Sequence, residues 1–188
     1  SFISSTIIDG DSTDCTIAIY GNIDSTCRVT GFTIQNGIGC VYGQGAGIYV
    51  ESASPRLDNL IIKNNIGGTN GGGICLNGNS NSLIDKVVIK NNSADTGGGL
   101  YSFNSNPVIT NSVIQNNHSN NGAGVFLELC SPNFENVSIT DNNAISSGGG
   151  IYCGLTSYPV FNHVTISNNY ASFAGEILST QNSQPVFS

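Results

Sequence analysis

The sequence predicts an all-β solenoid in which about seven coils stack on one another, with three short parallel strands in each coil. One observation is a phrase of small residues followed by an aliphatic and usually an aromatic residue. Its first glycine falls at 45, 71, 97, 122 and 148, and a sixth copy begins at Ala174. A second phrase keeps the same period, as in PRLDNLIIKNN from Pro55 and PVFNHVTISNN from Pro159. A fixed period of 25 or 26 residues over the whole chain is typical of a solenoid.

The repeat is predicted to be built of strands because its apolar residues alternate with polar ones. Ile48 and Val50 are separated by one residue, as are Leu60 and Ile62. Each unit holds three such runs, divided by Gly, Asn, Asp or Pro, whereas helical repeats have 3.6-residue spacing and few glycines. Coils joined by parallel pairing rise by about 4.8 Å each, so residues 1–188 are predicted to form a single rod.

Composition excludes two classes of function. The chain has 24 Gly and 26 Asn, only 9% charged residues and a formal net charge of −7. Five basic residues cannot form a surface that tracks nucleic-acid phosphates. No apolar run approaches the roughly 18 residues that a membrane-spanning helix needs. Six cysteines in a Lys-poor chain favour an extracellular or cell-surface protein.

Alternation along the first phrase predicts which side chains face outward. Glu176 occupies the slot of the third glycine, so that slot is predicted to face solvent, and the residue two positions later faces the same way. Exposed aromatic rings in a row could stack on sugar rings or form a subunit contact. The alternative is that neighbouring loops cover the rings, or that they only stack on one another. The predicted binding face is Tyr49, Tyr101, Phe126 and Tyr152, with Cys75 and Leu178 in the same column.

Bends complete each predicted coil. Leu57, Leu60 and Ile62 can all point inward only if the strand bends sharply at Asp58-Asn59, and Asn tolerates the left-handed conformation that such a bend needs. A further polar column could form a ladder of stacked amides or could simply make turns. Its members are Asn36, Asn64, Asn91, Asn116, Asp141 and Asn168.

The repeated unit GGGIYC…PVFNHVTISNN resembles those of right-handed parallel β-helix repeat proteins, the pectate-lyase-like superfamily. It is also similar to the GG[A/G]I-type repeats of bacterial polymorphic outer-membrane and autotransporter passenger proteins. The resemblance, together with the right-handed crossover of parallel strands, implies a right-handed coil. It implies little about activity, because the same repeat serves lyases, hydrolases, adhesins and spacers.

One cluster is a candidate for catalysis. Asp58 and Asp85 are predicted to stack on neighbouring coils, with Lys63, Lys86 and Lys90 nearby. A carboxylate pair beside lysines could bind Ca²⁺ or abstract a proton from a uronic acid. The alternative is that these aspartates cap turn amides and the lysines are solvated.

Two further features concern metals and cross-links. The segment DGDSTD, with Asp9, Asp11 and Asp14, is a weak candidate for a metal site, because it lacks the Gly and bidentate Glu of a calcium loop. Cys15 and Cys27 are candidates for a disulfide in the first coil. No other cofactor is predicted.

These observations predict a non-enzymatic secreted or surface module that serves as an adhesive, structural or binding scaffold. The chain begins and stops mid-coil, which is expected of a fragment of a longer β-helix or of subunits that self-associate end to end. The alternatives are a polysaccharide lyase or hydrolase acting on acidic glycans, and an ice-binding protein. The latter would use the flat column Thr33, Ile61, Val88, Val113, Ser138 and Thr165.

Overall fold

The computed structural model describes residue 3 and residues 5–188, and its regular structure is short strands with one 3-10 turn at Val41–Gly43. The strands are, in chain order, β1 (Ile7–Asp9), β2 (Ile17–Tyr20), β3 (Arg28–Thr30), β4 (Thr33–Gln35), β5 (Ile48–Glu51), β6 (Arg56–Lys63), β7 (Ile74–Asn77), β8 (Leu83–Lys90), β9 (Leu100–Phe103), β10 (Val108–Thr110), β11 (Val113–Gln115), β12 (His118–Asn121), β13 (Val125–Glu128), β14 (Asn133–Glu135), β15 (Ser138–Thr140), β16 (Asn143–Ser147), β17 (Ile151–Gly154), β18 (Val160–Asn162), β19 (Thr165–Ser167), β20 (Ile177–Ser179) and β21 (Val186–Phe187).

Each coil pairs with the next in parallel, which confirms a β-solenoid of about seven turns. Sheet I has seven strands in the order β2-β5-β7-β9-β13-β17-β20. Sheet II has twelve strands and contains both halves of the bent segment, which is continuous in β6 and β8 and split in later coils. A short fourth segment, absent from the three-strand prediction, pairs β12 with β16 as sheet III.

The core is a set of aliphatic columns inside the coils. Ile74 pairs with Leu100, Leu100 with Val125 and Val125 with Ile151, and all four side chains are fully buried. From the second phrase, Leu57, Leu60 and Ile62 are also buried, as the bend prediction required. The stacked interior predicted from the repeat is therefore confirmed.

The bends occur at residues in the left-handed region. Asn59 has φ 51°, and the equivalent residues Lys86, Asn111, Asn136 and His163 have φ between 49° and 55°. The second bend lies on the predicted amide column, where φ is between 54° and 58° at the positions Asn36, Asn64, Asn91, Asn116, Asp141 and Asn168.

The amide ladder lies one residue later than the sequence predicted. Asn117 Oδ1 accepts hydrogen bonds from the backbone N–H of Asn92 at 3.0 Å and from its side-chain amide at 3.1 Å. Asn117 in turn donates to Asn142 Oδ1 at 3.0 Å and to the Ile89 carbonyl at 3.1 Å. The first Asn of each pair makes the bend and the second turns inward. The buried ladder is Asn65, Asn92, Asn117, Asn142 and Asn169.

The slot of the third glycine faces the interior, which corrects the expectation based on Glu176. A β-carbon at Gly99 would stand 2.6 Å from the carbonyl oxygen of Gly124 and 3.0 Å from the amide of Asn117. Only glycine fits there, because neighbouring coils approach backbone to backbone. In the last copy Glu176 is itself exposed, and its carboxylate accepts the Asn169 side-chain amide at 2.7 Å.

None of the described residues forms a helix long and apolar enough to cross a membrane.

Candidate functional site

The charged groups of sheet II gather at one bend. All five basic residues of the chain lie on three adjacent strands, β3, β6 and β8. Asp58 and Asp85 are register partners, so the stacked carboxylate pair expected from the repeat is present. We call Arg28, Arg56, Asp58, Asp85 and Lys86 the charged corner.

Asp58 is the most heavily bonded carboxylate of the charged corner. Arg28 donates to both of its oxygens, with Nε–Oδ1 and Nη2–Oδ2 distances of 2.6 Å, and Arg56 Nε donates to Oδ1 at 3.0 Å. Thr30 Oγ1 and Asn59 Nδ2 donate to Oδ2 at 2.9 and 2.7 Å. The Asp58 side chain is fully covered. The Arg28 hydrogen bonds, followed by those from Thr30, Asn59 and Arg56, lower the pKa of Asp58 far below its ordinary value even though burial opposes them.

Asp85 sits one coil further along and is held in a similar way. Asn111 Nδ2 and Thr110 Oγ1 donate to its Oδ1 at 2.9 and 2.8 Å. The Arg56 guanidinium and the Lys86 ammonium lie 3.8 and 4.0 Å from Oδ2. The Asn111 hydrogen bond is the main cause that lowers the pKa of Asp85, and burial opposes it. Both carboxylates are thus kept ionised by fixed donors.

The two lysines predicted beside the carboxylates lie beyond the bend. Lys63 and Lys90 are register partners of each other at the far end of β6 and β8. Neither forms an ion pair with Asp58 or Asp85 within 4.0 Å, and these lysines therefore do not complete a carboxylate–lysine site.

The cations that do contact Asp58 were missed at the sequence level. Arg28 and Arg56 are register partners, and Thr30 is the partner of Asp58. Aligning RVTG from Arg28 with RLDN from Arg56 already places these residues one above the other. The sequence could have indicated this contact, because two arginines at the same position of neighbouring coils, two residues before an Asp, favour an ion pair shared by both.

The rings of the predicted aromatic binding face point away from the main core but are largely covered, so the expectation that they are exposed was wrong, and the alternative that they stack on one another holds. Tyr49, Tyr101 and Phe126 are 4%, 8% and 7% exposed, and only Tyr152 is half-buried. The rings pack on one another: the Tyr101–Phe126 and Phe126–Tyr152 centroids lie 5.6 and 4.5 Å apart, with nearly parallel planes. The column is thus a second, smaller hydrophobic core outside sheet I, together with Cys75.

The turn before each strand causes this burial. Gly97 has φ 63°, which folds the preceding chain back over the base of the Tyr101 side chain. A β-carbon at Gly97 would stand 2.9 Å from Tyr101 Cβ, and one at Gly45 would stand 2.7 Å from Tyr49 Cβ. The hydroxyls are occupied as well, since Tyr49 donates to Glu51 at 3.1 Å. Burial is the main cause that raises the pKa of Tyr49 to about 12.

Comparison with known proteins identifies the family. The chain matches the family described as "Right handed beta helix region" over residues 1–188. The chain is a right-handed β-helix. Neither a curated protein nor a solved structure matches it. Membership of the family gives the coil and its hand, and it leaves the activity to be argued from the sites.

The first coil of the β-helix carries a disulfide that differs from the predicted one. Cys15 bonds to Cys40, while Cys27 is a half-buried free thiol. The two bonded residues lie 25 positions apart, so this bridge joins successive coils at one side of the solenoid. Cys27 lies at a different turn, immediately before β3, whereas Cys15 precedes β2.

The predicted metal segment of the β-helix is not assembled as a ligand cluster. Asp9 accepts the side-chain amides of Gln35 and Asn36 at 2.8 and 3.0 Å and the backbone N–H of Asp11 at 3.0 Å. These hydrogen bonds, with Gln35 first, lower the pKa of Asp9. Among the residues that the structure describes, the one group of three ligand atoms within 4.8 Å joins Asp14 to the two sulfurs of the disulfide. The three aspartates therefore form a hydrogen-bonded turn.

We expect only one of the four free thiols of the folded β-helix to react rapidly with Ellman's reagent. Burial raises the pKa of Cys130 to about 11 and of Cys153 to about 12, and it raises the pKa of Cys75 further. Thiolates are the reactive species, so these three should be inert until the protein unfolds. Cys27 should give the single fast equivalent, and Cys27→Ser should abolish it. Two or more fast equivalents in the native protein would contradict the burial.

Proposed function

We propose that this β-helix is a non-enzymatic scaffold, secreted or displayed at a cell surface, which contacts a glycan or another protein subunit through its sides. The observation that carries the proposal is the state of the stacked carboxylates. Asp58 has four donor side chains on its two oxygens, and Asp85 has two donors and two nearby cations. A general base must release its partners and accept a proton near the working pH. Asp58 and Asp85 instead keep their hydrogen-bond donors, which lower the pKa of each carboxyl and favour its ionised form.

The other pair of acidic residues that could act on a glycan is too widely spaced. Glu51 and Glu128 lie in one column, with Asn77 and Phe103 on the two coils between them. Three coil spacings amount to about 14 Å. The carboxylates of glycosidases lie roughly 5–9.5 Å apart. This spacing also supports a scaffold in preference to a hydrolase.

Two features support the extracellular setting and the structural role. The Cys15–Cys40 disulfide is favoured in oxidising compartments. The buried asparagine ladder ties five successive coils with side-chain hydrogen bonds in addition to the backbone pairing. Repeats tied to their nearest neighbours in this way form a stiff rod with long lateral faces, which suits a scaffold.

Ice binding receives no comparable support. The flat column that would face ice begins at Thr33, whose side chain is covered and whose hydroxyl donates to the Ile3 carbonyl at 2.7 Å. The next members, Ile61 and Val88, carry no hydroxyl group. End-to-end self-association of copies stays a prediction.

A depolymerisation screen tests the proposal. Neutral and acidic polysaccharides are incubated with the protein, with and without Ca²⁺, and products are followed by reducing-end assay and by absorbance of unsaturated uronates. We expect no product in any arm, because the paired carboxylates cannot act as a base. Product formation in any arm would overturn the proposal in favour of a lyase or hydrolase, and its loss in Asp85→Ala, with the fold retained by circular dichroism, would assign the activity to the charged corner.

A further inference from the structure

The aromatic column outside sheet I is interrupted at one coil. Tyr49, Cys75 and Tyr101 are consecutive register partners, so a short thiol stands where the flanking coils carry rings. On the C-terminal side of Cys75 the rings are stacked, at Tyr101–Phe126 and Phe126–Tyr152. On the N-terminal side, Tyr49 contacts Tyr20 edge-on, with 5.5 Å between ring centroids. The aromatic column thus lacks a ring at the coil of Cys75.

A pocket of about 200 Å³ lies on the same side of sheet I, and Cys75, which is itself fully buried, does not line it. Its walls combine two aromatic side chains with three side-chain amides: Tyr101, Phe103, Gln44, Asn70 and Asn77. The amides come from two different parts of the coil. Gln44 and Asn70 precede the turn glycines, whereas Asn77 ends β7 and is the register partner of Phe103. The pocket is therefore a cleft between the turns and the outer face of sheet I.

The amides at the rim have donors and acceptors to offer. Gln44 and Asn70 are half-buried, and their side chains make no hydrogen bond with any other residue that the structure describes. Half-buried polar groups without partners gain from a ligand that brings matching hydroxyls. An apolar wall with a few converging polar groups is the usual composition of a small-molecule site.

Charge decides the class of ligand. The ionisable groups beside the pocket are acidic: Tyr101 donates to Glu128 at 3.1 Å, and Glu51 accepts from Tyr49. All five Lys and Arg residues lie on β3, β6 and β8 of sheet II, so none of them stands on the outer face of sheet I. An anionic sugar would be repelled here, and a neutral one would not.

From this juxtaposition we infer that the pocket binds one neutral pyranose ring, with Phe103 and Tyr101 against its apolar face and the Gln44 and Asn70 amides on its hydroxyls. The volume is below the roughly 300 Å³ at which pockets for drug-sized ligands begin, so it admits a single ring of a longer chain. The inference rests on the non-enzymatic function proposed above and names the glycan class that the scaffold contacts.

Binding is tested on the whole chain with the methyl glycosides of glucose, galactose and mannose. The methyl glycosides of the corresponding uronic acids, which carry a free carboxylate, are the anionic counterparts. Saturation-transfer NMR and calorimetry report binding. We expect at least one neutral glycoside to bind with a roughly millimolar Kd, because a single ring makes few contacts. The uronates should bind at least about tenfold more weakly, since they would meet Glu51 and Glu128 without a cation.

Two variants and one control locate the site. Asn77→Phe places a ring beneath Phe103 and fills the pocket, and it should abolish binding without changing the circular dichroism spectrum. Asn70→Ala should weaken binding by about fivefold, as expected for one lost hydrogen bond. The matched control is Asn143→Ala, which removes an exposed amide from sheet III and should leave Kd unchanged.

The outcomes separate this inference from the proposed function. Absence of binding by every neutral glycoside, preference for the uronates, or unchanged binding in Asn77→Phe would each overturn the pocket assignment and leave the scaffold proposal intact. Release of products in the depolymerisation screen would overturn the scaffold proposal, whatever the pocket binds.

Discussion

Replacing Asn117 by Ala should lower the free energy of unfolding by about 4 kcal/mol, which is the largest effect we expect from a single polar substitution. The change removes the acceptor of the Asn92 backbone N–H and of its side-chain amide. It also removes the donor to the Ile89 carbonyl. Each buried group left without a partner costs about 1–3 kcal/mol, and the three costs need not add fully. Urea unfolding followed by circular dichroism measures the change.

The neighbouring asparagine supplies the control. Asn116 is exposed and has φ 54°, so Asn116→Gly keeps the bend and removes no buried hydrogen bond. We expect a change below about 1 kcal/mol for Asn116→Gly. Equal losses for the two variants would contradict the division of each Asn-Asn pair into a bend residue and a ladder residue.

Asp58→Asn should lower the free energy of unfolding by about 2 kcal/mol at neutral pH. The amide keeps the shape of the side chain but loses the charge that Arg28 and Arg56 pair with. Hydrogen bonds to charged groups contribute about 1.5–3 kcal/mol. Because Arg28 and Arg56 are 51% and 38% exposed, solvent screens the pair and the lower part of that range applies. Calorimetric or urea unfolding at several pH values measures the effect.

The same variant should change the response to acid. The folded-state pKa of Asp58 lies below its unfolded value, so its contribution is fully present above the unfolded pKa of about 3.9 and is lost as the pH falls towards the folded pKa. The wild-type protein should therefore lose stability below about pH 4, and Asp58→Asn should lose less over that interval. Glu135→Gln, an exposed change two coils beyond Asp85 in the same column, should leave the acid limb as in wild type. An acid limb unchanged in Asp58→Asn would contradict the proposed ion pair.

The parts of the fold that were predictable are those fixed by the period of the sequence. The period places Ile74 over Leu100 and Val125, and it places the bend at Asn59, because those assignments depend only on residue type and register. The ladder was displaced by one position because Asn64 and Asn65 are chemically identical. Only the backbone conformation distinguishes which of them turns inward.

The candidate sites were less predictable because they depend on what lies over a side chain. Alternation correctly placed Tyr101 on the opposite side of the strand from the core, but it carries no information about the turn at Gly97 that covers the ring. The Cys15–Cys40 bridge depends likewise on how a turn approaches the next coil. The pocket likewise joins residues from different turns and strands, such as Gln44, Asn70 and Phe103, which come together only once the coils are stacked.

The buried asparagine ladder makes the molecule a polar axis. In the ladder each Oδ1 faces the preceding coil and one side-chain N–H faces the next coil, while the second N–H donates back to a carbonyl of the preceding coil, as Asn117 does to Ile89. Hydrogen bonds aligned in this way polarise one another along the row of Oδ1 atoms. The Gly37 N–H meets the acceptor end, and the carboxylate of Glu176 meets the donor end. Coils can therefore be added or exchanged along this axis in one orientation only, and a reversed coil would set donor against donor.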